Sequence, residues 1–150
     1  MLERKKIIYF IITVSLLLAG AYYFLSPFFI TLELDESTPV NIISTLVAEA
    51  KVIDTPSHPA TGLVSVLDTF EGKVLRYEDF KTINGPDLFI YLSTDLKATE
   101  FINLGEIKAT EGNANYQIPE GVDLHKYHYA LVWCKQFGVL FNYADISATE

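Results

Sequence analysis

The order of apolar and charged residues divides the chain into a hydrophobic head and a body of ordinary composition. Residues 7–32 form an uncharged run of 26 residues. As a helix this run would reach about 39 Å, whereas the hydrocarbon core of a bilayer is about 30 Å thick. Pro27 is expected to end the regular helix, which leaves about 20 residues, a sufficient span. The pattern predicts one membrane-spanning helix over 7–26, with residues 1–32 as an N-terminal membrane anchor.

Basic residues set the expected orientation of this anchor. Arg4, Lys5 and Lys6 stand directly before the apolar run, which places the N-terminus in the cytoplasm and residues 33–150 outside a membrane that the chain crosses once. A second interpretation is a cleaved signal peptide, because residues 19–21 have the small-x-small form of a cleavage site. Cleavage there would leave a mature chain that still begins with very apolar residues, so an uncleaved signal anchor is favoured. Both interpretations export the body.

The segment between the anchor and the body has the composition of a stalk. Residues 33–59 contain three acids close together and three prolines, and we interpret them as a linker. Within the segment, residues 40–51 suit either a short helix or an added strand, because Thr38-Pro39 resembles a helix start whereas the Ile, Val and Thr content favours a strand. The turn-rich stretch 54–59 is the expected domain boundary.

From Ala60 onward the pattern is typical of an all-β domain, assigned to residues 60–150. The predicted strands are strand-length apolar, β-branched or aromatic runs: 62–67, 73–77, 87–93, 101–107, 116–118, 129–134 and 137–143. Turn signals separate them, at 71–72, 84–87, 112–113 and 119–121. Seven or eight short strands without a helical period predict an antiparallel β-sandwich, with Leu88, Ile90, Leu131, Trp133, Val139 and Phe141 in its core.

Charge and composition exclude several classes of function. Residues 33–150 carry 18 acids against 8 bases, and a domain at −10 would repel phosphate, which disfavours nucleic-acid binding. Cys134 is the only cysteine, so intramolecular disulfides, CxxC pairs and cysteine-rich zinc sites are excluded. All three histidines precede Cys134 and the only methionine is Met1, so a blue-copper centre is not expected. We predict no metal site.

Cys134 is the candidate redox residue. A lone cysteine in an apolar strand is most often a small buried hydrophobe. Against this, an exported domain gains nothing structural from a thiol that alanine could not supply, and it incurs a risk of oxidation. Trp133, Phe137 and Phe141 are candidates for an apolar wall beside a planar cofactor. Strand alternation points Lys135 to the opposite face from Cys134.

Three blocks of the sequence resemble the DM13 domain family. They are Leu75–Ser93, Asn115–Leu124 followed by Tyr127, and the cysteine-bearing Val132–Ala144. The blocks occur in the family's order and span residues 60–146. The resemblance implies an extracytoplasmic domain that is proposed to act in electron transfer, through a thiol or a prosthetic group on its cysteine.

Two functions are therefore expected. The first is a membrane-tethered domain in electron transfer or thiol redox chemistry through Cys134, a redox component rather than a free-standing enzyme. Its cofactor stays open between a thiolate-ligated haem and a naked thiol. The alternative is a non-catalytic ectodomain, a binding or structural module. Its partner would be another envelope protein, whereas the first function requires a redox partner.

Overall fold

The computed structural model of the chain describes residues 2–26, 30–39 and 45–147. The chain divides into two compact units, Met1–Ile30 and Thr31–Glu150. The first unit contains one helix, α1 (Leu2–Leu25). Its stretch Glu3–Leu25 is long and apolar enough to cross a membrane, and an 18-residue window within it has a mean hydropathy of 2.1. The helix ends two residues before Pro27, as expected from the restriction that proline places on the preceding residue.

The second unit is a β-sandwich of two five-stranded sheets. The strands are β1 (Glu33–Asp35), β2 (Thr45–Lys51), β3 (Ile53–Asp54), β4 (Ala60–Thr69), β5 (Gly72–Thr82), β6 (Leu88–Ser93), β7 (Phe101–Glu106), β8 (Glu111–Gln117), β9 (Tyr129–Cys134) and β10 (Val139–Asp145). The first sheet has the order β1-β8-β5-β4-β2 and the second has the order β3-β10-β9-β6-β7. Every pairing is antiparallel except that of β1 with β8. The predicted sandwich is confirmed.

The described residues form ten strands rather than seven or eight. The seven runs predicted from Ala60 onward correspond to β4 to β10. The additional strands come from 33–59, the segment interpreted as a stalk. Of its stretch 40–51, the described part is a strand, β2, and residues 40–44 lie outside the described residues. The division of the body at residue 59 stays a prediction about domain limits.

The turn expected at residues 112–113 is wrong, because both residues lie inside β8. Gly112 has a φ of 111°, a backbone conformation that glycine adopts without strain. A Cβ at this position would collide with the carbonyl oxygen of Leu34 in β1. The glycine therefore allows β1 to lie directly against β8. It marks a close approach between two strands rather than a reversal of the chain.

Two apolar clusters stabilise the sandwich. The larger lies between the sheets and includes Leu88, Ile90 and Phe141. The smaller contains Phe89, Tyr91 and Leu131, with Trp133 packed against it. These residues alternate along β6 and β9 with residues of the first cluster, so the smaller cluster lies on the outer face of the second sheet. Val139, which we predicted to be in the core, is 38 % exposed at the last pair before the loop 135–138.

Candidate functional site

Cys134 lies at the end of a central strand with its side chain between the two sheets. It is the last residue of β9 and pairs with Leu88 of β6 and Val139 of β10. Its relative exposure is 0 %, and it belongs to the same buried cluster as Leu88 and Phe141. The only thiol of the chain is therefore enclosed by core side chains rather than presented to solvent.

Residues 84–87, which we call the cover segment, close the strand end at Cys134. The thiol donates a hydrogen bond to the carbonyl oxygen of Pro86 at 3.0 Å. The next residue, Lys135, donates its backbone N–H to the carbonyl oxygen of Asp87, also at 3.0 Å. Only a protonated thiol can donate the first bond. The protonated state of Cys134 thus contributes to holding the cover segment in place.

Gly85 allows the cover segment to lie directly on an aromatic ring. A Cβ on Gly85 would be 2.7 Å from Cζ of Phe141, closer than side chains approach one another. Its backbone N–H donates to the side-chain Oδ1 of Asn84 at 2.8 Å. Every larger residue at position 85 would displace the Phe141 ring. Glycine therefore allows the cover segment to lie close enough for the Pro86 carbonyl oxygen to accept the hydrogen bond of Cys134.

His58 packs on Phe141 with a defined tautomer. The two rings are stacked, with centroids 3.9 Å apart and planes inclined by 20°. Thr55 Oγ1 donates its only hydrogen to the carbonyl oxygen of Phe141 at 2.8 Å, so the 2.9 Å contact between Thr55 Oγ1 and His58 Nδ1 requires that Nδ1 carries a hydrogen. Burial lowers the pKa of His58. The neutral ring therefore has its lone pair on Nε2.

The structure separates the four site residues predicted from the sequence. Phe141 shares the buried cluster of Cys134. Trp133 is half-buried and packs in the outer cluster instead, because neighbouring residues of a strand point to opposite faces. Phe137 lies in the loop 135–138 and is 56 % exposed. A single aromatic wall made of Trp133, Phe137 and Phe141 is thus not assembled beside the sulfur in this conformation.

The nearby basic residues lie away from the thiol. Lys135 Nζ is 5.0 Å from the ring centroid of Phe89, which belongs to the outer cluster, and this agrees with the face expected for Lys135. His128 Nδ1 lies 3.0 Å from Asp145 Oδ1, and His125 is exposed. Across residues 2–26, 30–39 and 45–147 there is no group of three His, Cys, Asp or Glu residues that could hold a metal ion.

Sequence reasoning did not identify Pro86 or His58 as parts of the site around Cys134. Pro86 contributes a backbone carbonyl, which every residue possesses, so no side-chain pattern indicates it. His58 lies in the segment interpreted as a linker, 83 positions before Phe141, the ring on which it stacks. The dipeptide Asn84-Gly85 was recognised as a turn signal, and this was the one available indication that a loop lies at the site.

Comparison with known proteins agrees with the resemblance of the three sequence blocks. A family model described as "Electron transfer DM13" matches residues 52–146, which include β3 to β10 and every residue that encloses Cys134. No curated protein and no solved structure matches the chain. The match covers more than half of the sequence and eight of the ten described strands, and the chain therefore belongs to the DM13 electron-transfer family.

Proposed function

We propose that this protein is a membrane-tethered DM13 domain that takes part in electron transfer or thiol redox chemistry through Cys134. The observation that carries the proposal is the position of the sole thiol inside the region matched by the family, at a strand end closed by a short loop segment rather than by a further strand. In this proposal the sulfur becomes reachable when the cover segment moves, whereas a thiol in mid-strand would require unfolding of the sheet.

The geometry favours a naked thiol over a thiolate-ligated haem. The sulfur has no exposed surface and its hydrogen is held by Pro86. A planar cofactor would have to displace Leu88 or Phe141, which lie in the same buried cluster, so the residues around Cys134 do not fit a haem as they are folded. A redox partner would instead meet the thiol after local opening of the cover segment.

The proposed location follows from the apolar helix. We place α1 across a membrane with the N-terminus in the cytoplasm and residues 33–150 outside, supported by its length and hydropathy and by the basic residues that precede the apolar run. Protease added to intact spheroplasts should digest the second unit and leave a protected fragment that contains α1. Protection of the second unit would contradict this orientation, and a soluble form that lacks residues 1–21 would contradict the uncleaved anchor.

The alternative is a non-catalytic ectodomain that binds another envelope protein. The complete burial of the only thiol favours it, because a buried cysteine is commonly a packing residue. The two functions differ in how the thiol becomes reachable. A redox thiol needs a local opening that leaves the sheets intact, whereas a packing residue becomes reachable only when the domain unfolds.

Thiol labelling at increasing urea concentrations separates the two functions. Local opening exposes little surface, so the labelling rate of Cys134 should be almost independent of urea below the unfolding transition. The matched control is Cys134→Ser, which should not be labelled at any urea concentration. A labelling rate that follows global unfolding throughout would make Cys134 a core residue and favour the binding module. A visible absorption band in natively purified protein would indicate a bound cofactor and contradict the naked thiol.

A further inference from the structure

We propose that Asn84 is a site of spontaneous deamidation, and that its conversion loosens the cover segment over Cys134. Of the six asparagines in the chain, Asn84 is the one followed by glycine. The other five precede Ile, Leu, Ala or Tyr, whose side chains shield the following backbone nitrogen. Glycine offers no such shielding and permits the backbone angles that ring closure requires.

The reaction uses groups that the chain itself supplies, together with water. The backbone nitrogen of Gly85 forms a bond to Cγ of Asn84, and the side-chain nitrogen leaves as ammonia. The product is a five-membered succinimide. Water then adds to one of its two carbonyl carbons, and the ring opens to aspartate or to isoaspartate, in which the main chain runs through Cγ. No oxidant, reductant or cofactor takes part.

The conformation of the cover segment brings the reacting groups together. Gly85 N–H donates to Oδ1 of its own neighbour Asn84 at 2.8 Å, so the side chain is folded back and its amide carbon lies next to the attacking nitrogen. Residues 83–87 belong to no strand, and this hydrogen bond is therefore not part of a sheet ladder that would hold the nitrogen away from the side chain.

Either product disturbs the contacts that enclose the thiol. Isoaspartate lengthens the main chain by one methylene at a point where Gly85 already touches the Phe141 ring, and both products place a carboxylate beside the buried cluster. The adjacent Pro86 carbonyl would shift away from Cys134, and the thiol would lose its acceptor. This consequence concerns access to the proposed redox residue, so it rests on the proposed function, whereas the conversion of Asn84 does not.

Tryptic digestion provides the test with internal controls. The full-length protein in detergent is incubated in heavy-oxygen water at neutral pH and 37 °C, then digested and analysed by mass spectrometry. The peptide Thr82–Lys97 contains Asn84 alone, whereas Ala98–Lys108, Ala109–Lys126 and Gln136–Glu150 contain the control asparagines 103, 113, 115 and 142. We expect heavy oxygen to enter Thr82–Lys97 severalfold faster than any control peptide. Equal rates in all four peptides would overturn the site.

Variants at Asn84 test the consequence. Asn84→Gln keeps an amide but would have to close a larger ring, so its peptide should stay unlabelled. In aged wild-type protein the labelling rate of native Cys134 should rise in proportion to the converted fraction, and it should stay constant in Asn84→Gln. Asn84→Asp adds the charge without lengthening the main chain and separates these two effects. Conversion without faster thiol labelling would overturn the loosening of the cover segment, and it would leave the redox role of Cys134 to be judged by the urea experiment.

Discussion

The thiol of Cys134 and the carbonyl oxygen of Pro86 are joined by a hydrogen bond of 3.0 Å between residues 48 positions apart in the sequence. The bond links the end of a central strand to the loop that precedes another central strand, β6. Because the sulfur is the donor, any chemistry that removes its hydrogen also removes the partner of the Pro86 carbonyl. We therefore expect the state of the thiol and the position of the cover segment to be coupled.

Substitution of Cys134 should show how much this hydrogen bond contributes to the free energy of unfolding. Cys134→Ala leaves the Pro86 carbonyl without its donor and creates a small void, and the unsatisfied carbonyl should cost about 1–3 kcal/mol in the free energy of unfolding. Cys134→Ser keeps a donor and should lose less. Urea unfolding followed by the fluorescence of Trp133, the only tryptophan, gives both values. Equal stabilities for alanine and wild type would show that the bond contributes nothing.

The outer cluster should be more sensitive at Leu131 than at Trp133. Leu131 has no exposed surface, so Leu131→Ala should cost about 2–5 kcal/mol. Trp133 packs against the same cluster but is only half-buried. Replacement of a fully buried tryptophan by alanine typically lowers the free energy of unfolding by about 3–5 kcal/mol, and Trp133→Ala should lower it by less. Circular dichroism during urea unfolding measures both variants. A greater loss at Trp133 would mean that the tryptophan, rather than Leu131, forms the centre of the cluster.

Arg76 is expected to stabilise the first sheet through charged hydrogen bonds. Its Nε donates to Glu78 Oε1 at 2.8 Å, and its Nη1 donates to Asn115 Oδ1 at 2.8 Å and to the carbonyl oxygen of Glu36 at 3.0 Å. Arg76 is almost fully buried, so Arg76→Met should lower the free energy of unfolding by about 1.5–3 kcal/mol.

An exposed ion pair supplies the control for Arg76. Lys81 and Glu111 lie 3.3 Å apart with most of the lysine in solvent, so Lys81→Met should change the free energy of unfolding by no more than about 1 kcal/mol. Urea unfolding measures both variants under the same conditions. Similar effects of the two substitutions would mean that burial does not make the hydrogen bonds of Arg76 contribute more to the free energy of unfolding than an exposed ion pair does.

Local pattern identified the strands that form the sandwich from Ala60 onward but not the first strand. The predicted run 87–93 is apolar on both faces, and its strand β6 is buried along its whole length between β9 and β7. In contrast, β1 has three residues, two of them acidic. It is held in place partly by Glu36, whose Oε2 accepts the backbone N–H of Asn115 at 2.6 Å. A polar contact between residues 79 positions apart leaves no periodicity for sequence analysis to detect.

The site shows the same limit. Cys134 was identified because it is the only cysteine, and its burial was one of the two interpretations. The assignment of Trp133 to a common wall with Phe141 conflicted with strand alternation, which was applied correctly to Lys135 but not to Trp133. The pairing of β10 is irregular between Leu140 and Asn142, and the successive residues Phe141 and Asn142 are both buried. Bulges of this kind are not visible in a hydrophobic pattern.

Alkaline pH should destabilise the domain through its buried tyrosines. Burial raises the pKa of Tyr116 from 10.0 to about 12, and burial together with Tyr116 raises the pKa of Tyr77. Above pH 10 the unfolded chain releases phenolic protons that the folded domain retains, so the stability present below pH 10 is lost as the pH rises towards 12. Urea midpoints measured across this range should fall less steeply in Tyr116→Phe. An unchanged slope in this variant would contradict the contribution of Tyr116.

Removal of the Tyr77 hydroxyl should leave the domain as stable or make it more stable. This hydroxyl is buried without a hydrogen-bond partner among the described residues, so the folded state bears the cost of removing it from water and gains no bond in return. The Tyr116 hydroxyl, in contrast, accepts the backbone N–H of Lys108 at 2.8 Å, and Tyr116→Phe should cost about 1 kcal/mol. Both variants keep the aromatic ring and its contacts, so the difference between their urea midpoints isolates the effect of the partner. If Tyr77→Phe loses as much stability as Tyr116→Phe, the Tyr77 hydroxyl has a partner in solution, and a buried water molecule between the sheets would be the first candidate for it.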